Sequence, residues 1–191
     1  KERIVVMPDF FDYKDITDNA VLNQTEYTSR TKDRTRDLLL FYSGRMVPGR
    51  GFDTILKAFA EIPDKGRFHL VLGGDGPEQK FLYKLAHDLH IQKYIEFLGW
   101  ITKKDLYRYL SQTDIFLMPK LMRIDFNSIM LLEAMAFGLP SIVPAGGTLA
   151  WATGNSALQY RDEDYKDFAA KILELADNPL RRITLSQNCA K

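Results

Sequence analysis

The chain of 191 residues contains a single cysteine, Cys189, and can therefore form no internal disulfide. It carries almost no net charge, because 26 lysines and arginines are set against 25 aspartates and glutamates. A nucleic-acid-binding domain normally needs a basic excess to neutralise phosphates, so this balance argues against a nucleic-acid partner. The longest uninterrupted apolar run, residues 38–42, is far too short to span a bilayer. A lone cysteine fits a reducing compartment, and we expect a cytoplasmic protein.

Several catalytic and metal-binding signatures are also absent. The sequence contains neither Gly-x-Ser-x-Gly nor His-Glu-x-x-His, and no Gly-Lys-Ser/Thr completes a P-loop. His87 and His90 have no third ligand near them in the sequence, so we expect surface histidines and no metal site. The acidic run 162–164 opens a predicted helix, where capping is favoured over cation binding. Cys189 has no neighbouring base, which argues against a catalytic thiol.

The sequence does contain 46% hydrophobic residues, arranged in a regular alternation. A chain of this size buries about 70% of its unfolded surface, so the composition indicates a globular core. Short apolar runs that end in glycine or proline predict buried strands, and apolar residues with helical spacing predict helices between them. The predicted strands are 38–42, 68–72, 94–98, 114–118, 139–143 and 157–160. The predicted helices begin near residues 52, 77, 103, 127, 164 and 179.

This alternation predicts an α/β fold, a Rossmann-like doubly wound parallel sheet. In such sheets ligands bind at the carboxyl ends of the strands, near the point where the strand order reverses. We assign residues 38–191 to this domain. Residues 1–37 are predicted to be an irregular linker that includes one short strand-like run at 4–7, because the apolar residues that follow are too scattered to form a face.

The most informative residue is Glu133, which lies in a predicted helix that is apolar nearly all round. A buried carboxylate without partners is costly, and no cation lies beside it on that helix. It can bind ligand hydroxyls at the floor of a pocket, or it can be a structural carboxylate paired with a distant arginine. Asp125, eight residues upstream, lies in the preceding loop and can face either the same cavity or solvent.

Two arginines, Arg45 and Arg50, lie in a loop that leads from the first predicted strand of the domain into a helix. Guanidinium groups bind phosphate oxygens with paired hydrogen bonds, and glycines such as Gly44 allow the backbone to approach a ligand closely. The loop is therefore either an anion site or an exposed turn. A second glycine-rich turn, residues 73–77, lacks the Gly-x-Gly-x-x-Gly order of a dinucleotide site and is better explained as a turn that lines a cleft.

Taken together, four ordered motifs resemble the carboxyl-terminal half of a retaining GT-B glycosyltransferase of the glycosyl transferases group 1 class (family four). The strongest is 131–140, Leu-Leu-Glu-Ala-Met-Ala-Phe-Gly-Leu-Pro, which closely matches that family's Leu-Glu-Ala-Met-Ala-x-Gly-x-Pro signature. Gly-Arg-Met at 44–46, followed by Arg50-Gly51, is similar to the family's Gly-Arg-Leu…Lys-Gly element, with arginine in place of lysine. Residues 73–77 and 97–99 follow the family pattern in order and spacing.

The resemblance implies a role for each matching residue. It assigns the donor diphosphate to Arg45, Arg50 and the amides of Ser128 and Ile129, the donor sugar to Asp125 and Asn127, the ribose to Glu133, the base to Trp100 and Ile101, and loop positions to Gly44, Gly74 and Gly99. Asp125 stands where the family has the first glutamate of its Glu-x7-Glu motif. No residue of this chain is assigned a catalytic role.

The function implied by the resemblance is transfer of a sugar from a nucleoside diphosphate, UDP or GDP, to an acceptor hydroxyl, with retention and without a metal or cofactor. The acceptor would be bound by an amino-terminal domain of the same full-length protein, in polysaccharide or glycoconjugate biosynthesis. The resemblance also leaves open a peripheral membrane association of the full-length protein. Two alternatives remain: a GT-B-like module that binds nucleotide-sugars without turnover, and a sugar-nucleotide 2-epimerase.

Overall fold

The computed structural model describes Tyr27, Thr31 and residues 37–120 and 128–189. Six parallel strands of this part form one sheet in the order β3-β2-β1-β4-β5-β6. The strands are β1 (Leu38–Ser43), β2 (Phe68–Gly73), β3 (Ile95–Gly99), β4 (Ile115–Leu117), β5 (Ser141–Pro144) and β6 (Ala157–Tyr160). The Rossmann-like parallel sheet predicted from the sequence is confirmed.

Helices connect the strands and pack against the sheet. Those in the described residues are α1 (Phe52–Glu61), α2 (Gln79–Asp88), α3 (Lys103–Gln112), α4 (Ile129–Ala136), α5 (Gly147–Thr153), α6 (Tyr165–Asp177) and α7 (Pro179–Asn188). The sequence pattern did not predict α5, because seven residues that include two threonines, a glycine and an exposed tryptophan show no helical periodicity.

The strand order places a topological switch point between β1 and β4. The chain adds β2 and β3 on one side of β1 and then returns to place β4 on the other side, where Leu40 pairs with Ile115 and Phe41 with Phe116. The helices that follow β1 and β4 therefore diverge from neighbouring strand ends and leave a crevice between them. The loops after β1 and β4 form the two sides of this crevice.

Local signals in the sequence account for several helix bounds. The buried face of α1 consists of Phe52, Ile55, Leu56 and Phe59, the spacing predicted from the sequence. Thr102 caps α3, because its hydroxyl oxygen accepts a hydrogen bond from the Asp105 amide at 3.1 Å. Gly138 follows α4 in the left-handed conformation, with φ +68°.

Helix α4 is more open than its apolar sequence predicts. Leu131, Glu133 and Ala134 are buried, but Ile129 at the amino end is 52% exposed. The helix begins at the carboxyl edge of the sheet, where its first turn is not covered by the strands.

Two residues of the segment predicted to be an irregular linker, Tyr27 and Thr31, are helical and buried. The Tyr27 hydroxyl donates a hydrogen bond to the carbonyl of Asp114 at 2.7 Å, just before β4. Tyr27 is thus part of the domain core, although scattered apolar residues gave no signal for it. The domain boundary at residue 38 stays a prediction, and the strand predicted at 4–7 lies outside the described residues.

No helix in the part of the chain that the structure describes is long and apolar enough to cross a bilayer.

Cys189 follows α7, and its thiol lies 3.6 Å from the carbonyl oxygen of Leu139, two residues before β5. Burial raises the pKa of the Cys189 thiol to about 11. This environment suits a structural cysteine, in line with the absence of a neighbouring base in the sequence.

We expect Cys189 to react with DTNB at pH 8 about a hundredfold more slowly in the folded protein than in the urea-unfolded chain, because burial lowers the thiolate fraction by about two orders of magnitude. The rate in the folded protein should rise as the pH approaches 11. Stopped-flow absorbance measures both rates. Equal rates for the folded and unfolded chains at pH 8 would contradict the buried placement of the thiol.

Candidate functional site

Three loops lie side by side along the carboxyl edge of the sheet. The Gly44 amide donates a hydrogen bond to the Gly73 carbonyl at 3.1 Å, and the Gly74 amide donates to the Gly99 carbonyl at 2.7 Å. These bonds continue the strand pairing of β1, β2 and β3 beyond the ends of the strands. The loop glycines predicted from the sequence, Gly44, Gly74 and Gly99, are therefore brought together at one edge.

The glycine-rich turn at 73–77 packs backbone against backbone on the loop after β1. The Met46 amide donates to the Asp75 carbonyl at 2.7 Å, and a Cβ on Gly74 would lie 1.8 Å from the Gly44 carbonyl oxygen. A Cβ on Gly76 would lie 2.3 Å from the Met46 carbonyl oxygen. Only glycine allows this approach, so close packing of two loops accounts for the glycines here, and the lining of a cleft by this turn stays a prediction.

Arg45 and Arg50 lie on the β1 side of the crevice. Arg45 is exposed and Arg50 is partly buried, and neither guanidinium has an ion-pair partner within the described ranges. Gly51, the next residue, has φ +73° and packs against the end of β4, where an added Cβ would lie 2.5 Å from Cβ of Pro119. Two cations without a neutralising partner beside a crevice suit an anionic ligand.

Helix α4 begins on the opposite side of the crevice, after β4. Ser128 is its N-cap residue, with φ −76° and ψ 118°, and its side chain makes no capping hydrogen bond. The amides of the first helical turn have no acceptor within the helix, and the helix dipole adds partial positive charge there. The amino end at Ser128 and Ile129 can therefore receive an anion.

Glu133 is buried in the middle of α4, as the apolar helix predicted. Its assignment to ribose stays a prediction. Asp125 and Asn127, predicted to contact the donor sugar, lie outside the described residues.

The residues predicted to contact the base follow β3. Trp100 is 71% exposed, and Ile101 is partly buried. The side chain of Ile101 folds back over the end of β2, since a Cβ on Gly73 would lie 2.9 Å from Ile101 Cδ1. This packing brings the β3 loop onto the same edge as the arginine loop, and the contact with a base stays a prediction.

Sequence patterns did not single out Tyr42, Tyr160 and Lys120, which also lie at this edge. The Tyr42 hydroxyl donates a hydrogen bond to the Arg50 carbonyl at 2.9 Å. The Lys120 amide donates to the Tyr160 oxygen at 2.8 Å. Both tyrosines resemble ordinary apolar strand residues in the sequence, so only the order of the strands reveals what their hydroxyl groups reach.

Two residues of the acidic run 162–164 have different structural roles: one caps a helix and the other forms an ion pair. Asp164 caps α6 by accepting hydrogen bonds from the amides of Lys166 and Asp167, as predicted, and the bond from Asp167 holds the pKa of Asp164 below its usual value. Asp162 instead pairs with Lys120 across the sheet edge. The part of the chain that the structure describes contains no group of three or more His, Cys, Asp or Glu residues arranged to hold a metal ion.

These features define a Rossmann-like α/β domain with glycine-rich loops at its switch point and two arginines there that have no ion-pair partner in the described part of the chain. The chain belongs to the family of glycosyl transferases group 1, whose model matches residues 23–191. The match begins before residue 38 and includes Tyr27, which packs into the domain core.

Two of the proteins that this chain resembles, LpsE and WaaG, are glycosyltransferases. The lipopolysaccharide core biosynthesis glycosyltransferase LpsE of Rhizobium meliloti is 34% identical over 141 residues, which are 72% of this chain and 39% of LpsE. The crystal structure of WaaG, a glycosyltransferase involved in lipopolysaccharide biosynthesis, matches with a TM-score of 0.74 and 20% identity, over 95% of this chain and 49% of WaaG. The Anabaena protein Alr3699/HepE in complex with UDP-glucose matches with a TM-score of 0.73 and 19% identity, over 94% of this chain and 49% of HepE.

The chain thus spans less than half the length of each of these relatives. The two structural matches support the fold.

Substitution of Gly74 by alanine is expected to lower the free energy of unfolding by about 3 kcal/mol or more, because the added Cβ meets backbone that cannot rotate away. Gly99→Ala is the matched control, since Gly99 also has a positive φ, +67°, but has open space around its Cβ position. It should cost only about 1 kcal/mol. Urea denaturation measures both values, and equal losses would contradict the close approach of the two loops.

Proposed function

We propose that this chain is the nucleotide-sugar-binding part of a glycosyltransferase that moves a sugar from a nucleoside diphosphate to an acceptor hydroxyl. The observation that carries the proposal is the pair Arg45 and Arg50, two guanidinium groups without ion-pair partners in the described residues, beside a glycine-lined crevice at the switch point. A diphosphate offers the paired oxygens that guanidinium groups bind best. Membership of the glycosyl transferases group 1 family supports the same ligand.

Each part of the donor has a proposed set of contacts. Arg45, Arg50 and the amides of Ser128 and Ile129 bind the diphosphate, Glu133 accepts hydrogen bonds from the ribose hydroxyls, the backbone near Trp100 and Ile101 meets the base, and Asp125 and Asn127 contact the sugar. Burial suits Glu133 for this task, because a carboxylate in a dry pocket gains most from hydroxyl donors.

The proposed chemistry relies on charge stabilisation. When the bond between the sugar and the diphosphate breaks, negative charge grows on the leaving phosphate. Fixed guanidinium groups and helix amides stabilise that charge without reorganising, so no metal ion is needed. The acceptor oxygen then forms the new bond on the face that the diphosphate leaves, and its proton passes to the departing diphosphate oxygen, which gives retention, as the family resemblance implies.

The acceptor site belongs, in this proposal, to an amino-terminal domain of the full-length protein. The chain spans 39% of LpsE and 49% of WaaG, which leaves room for such a domain in the complete protein. Both relatives are glycosyltransferases of lipopolysaccharide biosynthesis, and we infer a polysaccharide or glycoconjugate acceptor by similarity.

The alanine variants Arg45→Ala and Arg50→Ala are each expected to weaken UDP or GDP binding about 10- to 100-fold, because each loses charge-assisted hydrogen bonds to the diphosphate. Isothermal titration calorimetry of this chain measures the affinities. Arg67→Ala is the control, because Arg67 precedes β2 at the opposite edge of the sheet and pairs with Asp177 at 2.6 Å. Unchanged affinity in both arginine-loop variants would refute the diphosphate assignment, and loss of affinity in EDTA would refute metal independence.

The full-length protein is expected to transfer sugar to an acceptor, whereas this chain alone binds the donor without transferring it. Mass spectrometry of the product, with NMR of its anomeric linkage, tests both transfer and retention. Formation of an altered sugar and free UDP without any acceptor would identify a 2-epimerase instead. Donor binding without any product in the full-length protein would favour a binding module.

A further inference from the structure

Two buried tyrosines lie beneath the loops that flank the crevice. Tyr42 in β1 is 2% exposed, and Tyr160 at the end of β6 is 0% exposed. The Tyr42 ring packs on Phe52 with a centroid distance of 4.8 Å, and the Tyr160 ring stacks on Phe168 at 4.3 Å. Both rings are thus held by the core, so the positions of their hydroxyl groups are determined by packing.

Each hydroxyl group meets the backbone of a different loop. Tyr42 donates to the carbonyl of Arg50, in the loop that carries both candidate phosphate ligands after β1. Tyr160 accepts from the amide of Lys120, three residues after the end of β4. One tyrosine therefore anchors each side of the switch point.

Further contacts tie these two anchors together. Gly51 packs against the β4 exit, where an added Cβ would lie 2.5 Å from Pro119 Cβ and 3.1 Å from the Lys120 carbonyl oxygen. The Lys120 side chain pairs with Asp162 and lies 3.7 Å from Glu163, both just after β6. Lys120 therefore has three contacts: its amide donates to Tyr160, its carbonyl oxygen lies close to Gly51, and its side chain pairs with Asp162.

The protonation of both phenols is constant over the working pH range. Burial raises the pKa of Tyr42, and the nearby charge of Arg50 lowers it by a smaller amount. Burial also raises the pKa of Tyr160. Tyr42 is therefore protonated, and a hydrogen-bond donor, at neutral pH.

We propose that Tyr42 and Tyr160 are positioning residues, whose hydroxyl groups hold the arginine loop in the placement that binds a nucleoside diphosphate. This inference rests on the proposed function and deepens it. Neither tyrosine contacts the ligand; Tyr42 acts through Arg50, and Tyr160 acts through Lys120, which lies against Gly51 in the arginine loop.

The test replaces only the hydroxyl groups. Tyr42→Phe and Tyr160→Phe keep the rings in the core, and each should weaken UDP binding about 3- to 10-fold, because one hydrogen bond that holds a loop is lost. In the same variants the affinity for UMP should fall by a smaller factor than the affinity for UDP, because a single phosphate contacts fewer of the loop groups that the tyrosines position. Tyr94→Phe is the control: Tyr94 also packs on a core phenylalanine, Phe59, but lies at the start of β3, away from the crevice.

The double variant Tyr42→Phe with Arg50→Ala distinguishes positioning of the arginine loop from a general contribution of Tyr42 to stability. If Tyr42 positions the arginine loop, Tyr42→Phe should weaken UDP binding by a smaller factor in the Arg50→Ala background, because Arg45 is then the only guanidinium of that loop left to position. A general loss of stability would instead weaken binding by the same factor in both backgrounds, and that result would overturn the proposal. Melting temperatures of all variants are measured in parallel.

The outcomes also separate this inference from the proposed function. If the wild-type chain binds neither UDP nor GDP, the proposed function fails and the positioning role fails with it. If the wild type binds and both phenylalanine variants bind equally well, only the positioning role is overturned. If Tyr160→Phe does not fold, the result with Tyr42→Phe and its combination with Arg50→Ala decides.

Discussion

The site depends on the close approach of three loop backbones at the carboxyl edge of the sheet. The hydrogen bonds from Gly44 to Gly73 and from Gly74 to Gly99 extend the strand pairing into the loops. A side chain at Gly74 would collide with the Gly44 carbonyl, so this arrangement requires glycine. The loop that carries Arg45 and Arg50 is supported from beneath by this contact, and its placement next to the crevice follows from it.

On the β4 side of the crevice, side chains make most of the contacts that hold the backbone in place. The segment that leaves β4 contacts the arginine loop through Pro119 and Gly51, and Tyr160 accepts a hydrogen bond from its Lys120 amide. Lys120 also pairs with acidic residues after β6. Backbone contacts and the Tyr42 hydroxyl thus hold the arginine loop, and Tyr160 holds the exit from β4. Loops fixed in this way leave less ordering to be done when a ligand binds.

The fold could largely be predicted, because its determinants are local. The apolar spacing from Phe52 to Phe59 predicted α1, and Thr102 predicted the start of α3. Two features were not predicted from the sequence. Helix α5 has only seven residues, which is too short to show a helical period. Tyr27 lies in a polar segment, yet its hydroxyl group bonds to the chain just before β4. The burial of Glu133 was likewise predicted from the apolar residues around it.

The sequence by itself determined which residues can form strands and helices, where glycines permit turns, and which charges are available for a ligand. Only the tertiary structure decided that Tyr42 reaches the Arg50 carbonyl, that Tyr160 reaches the Lys120 amide, and that Asp162 pairs with Lys120 while Asp164 caps α6. The physical reason is that periodicity and capping act between neighbours in the chain. The contacts at the crevice depend on the strand order, which brings the ends of β1, β4 and β6 to one edge.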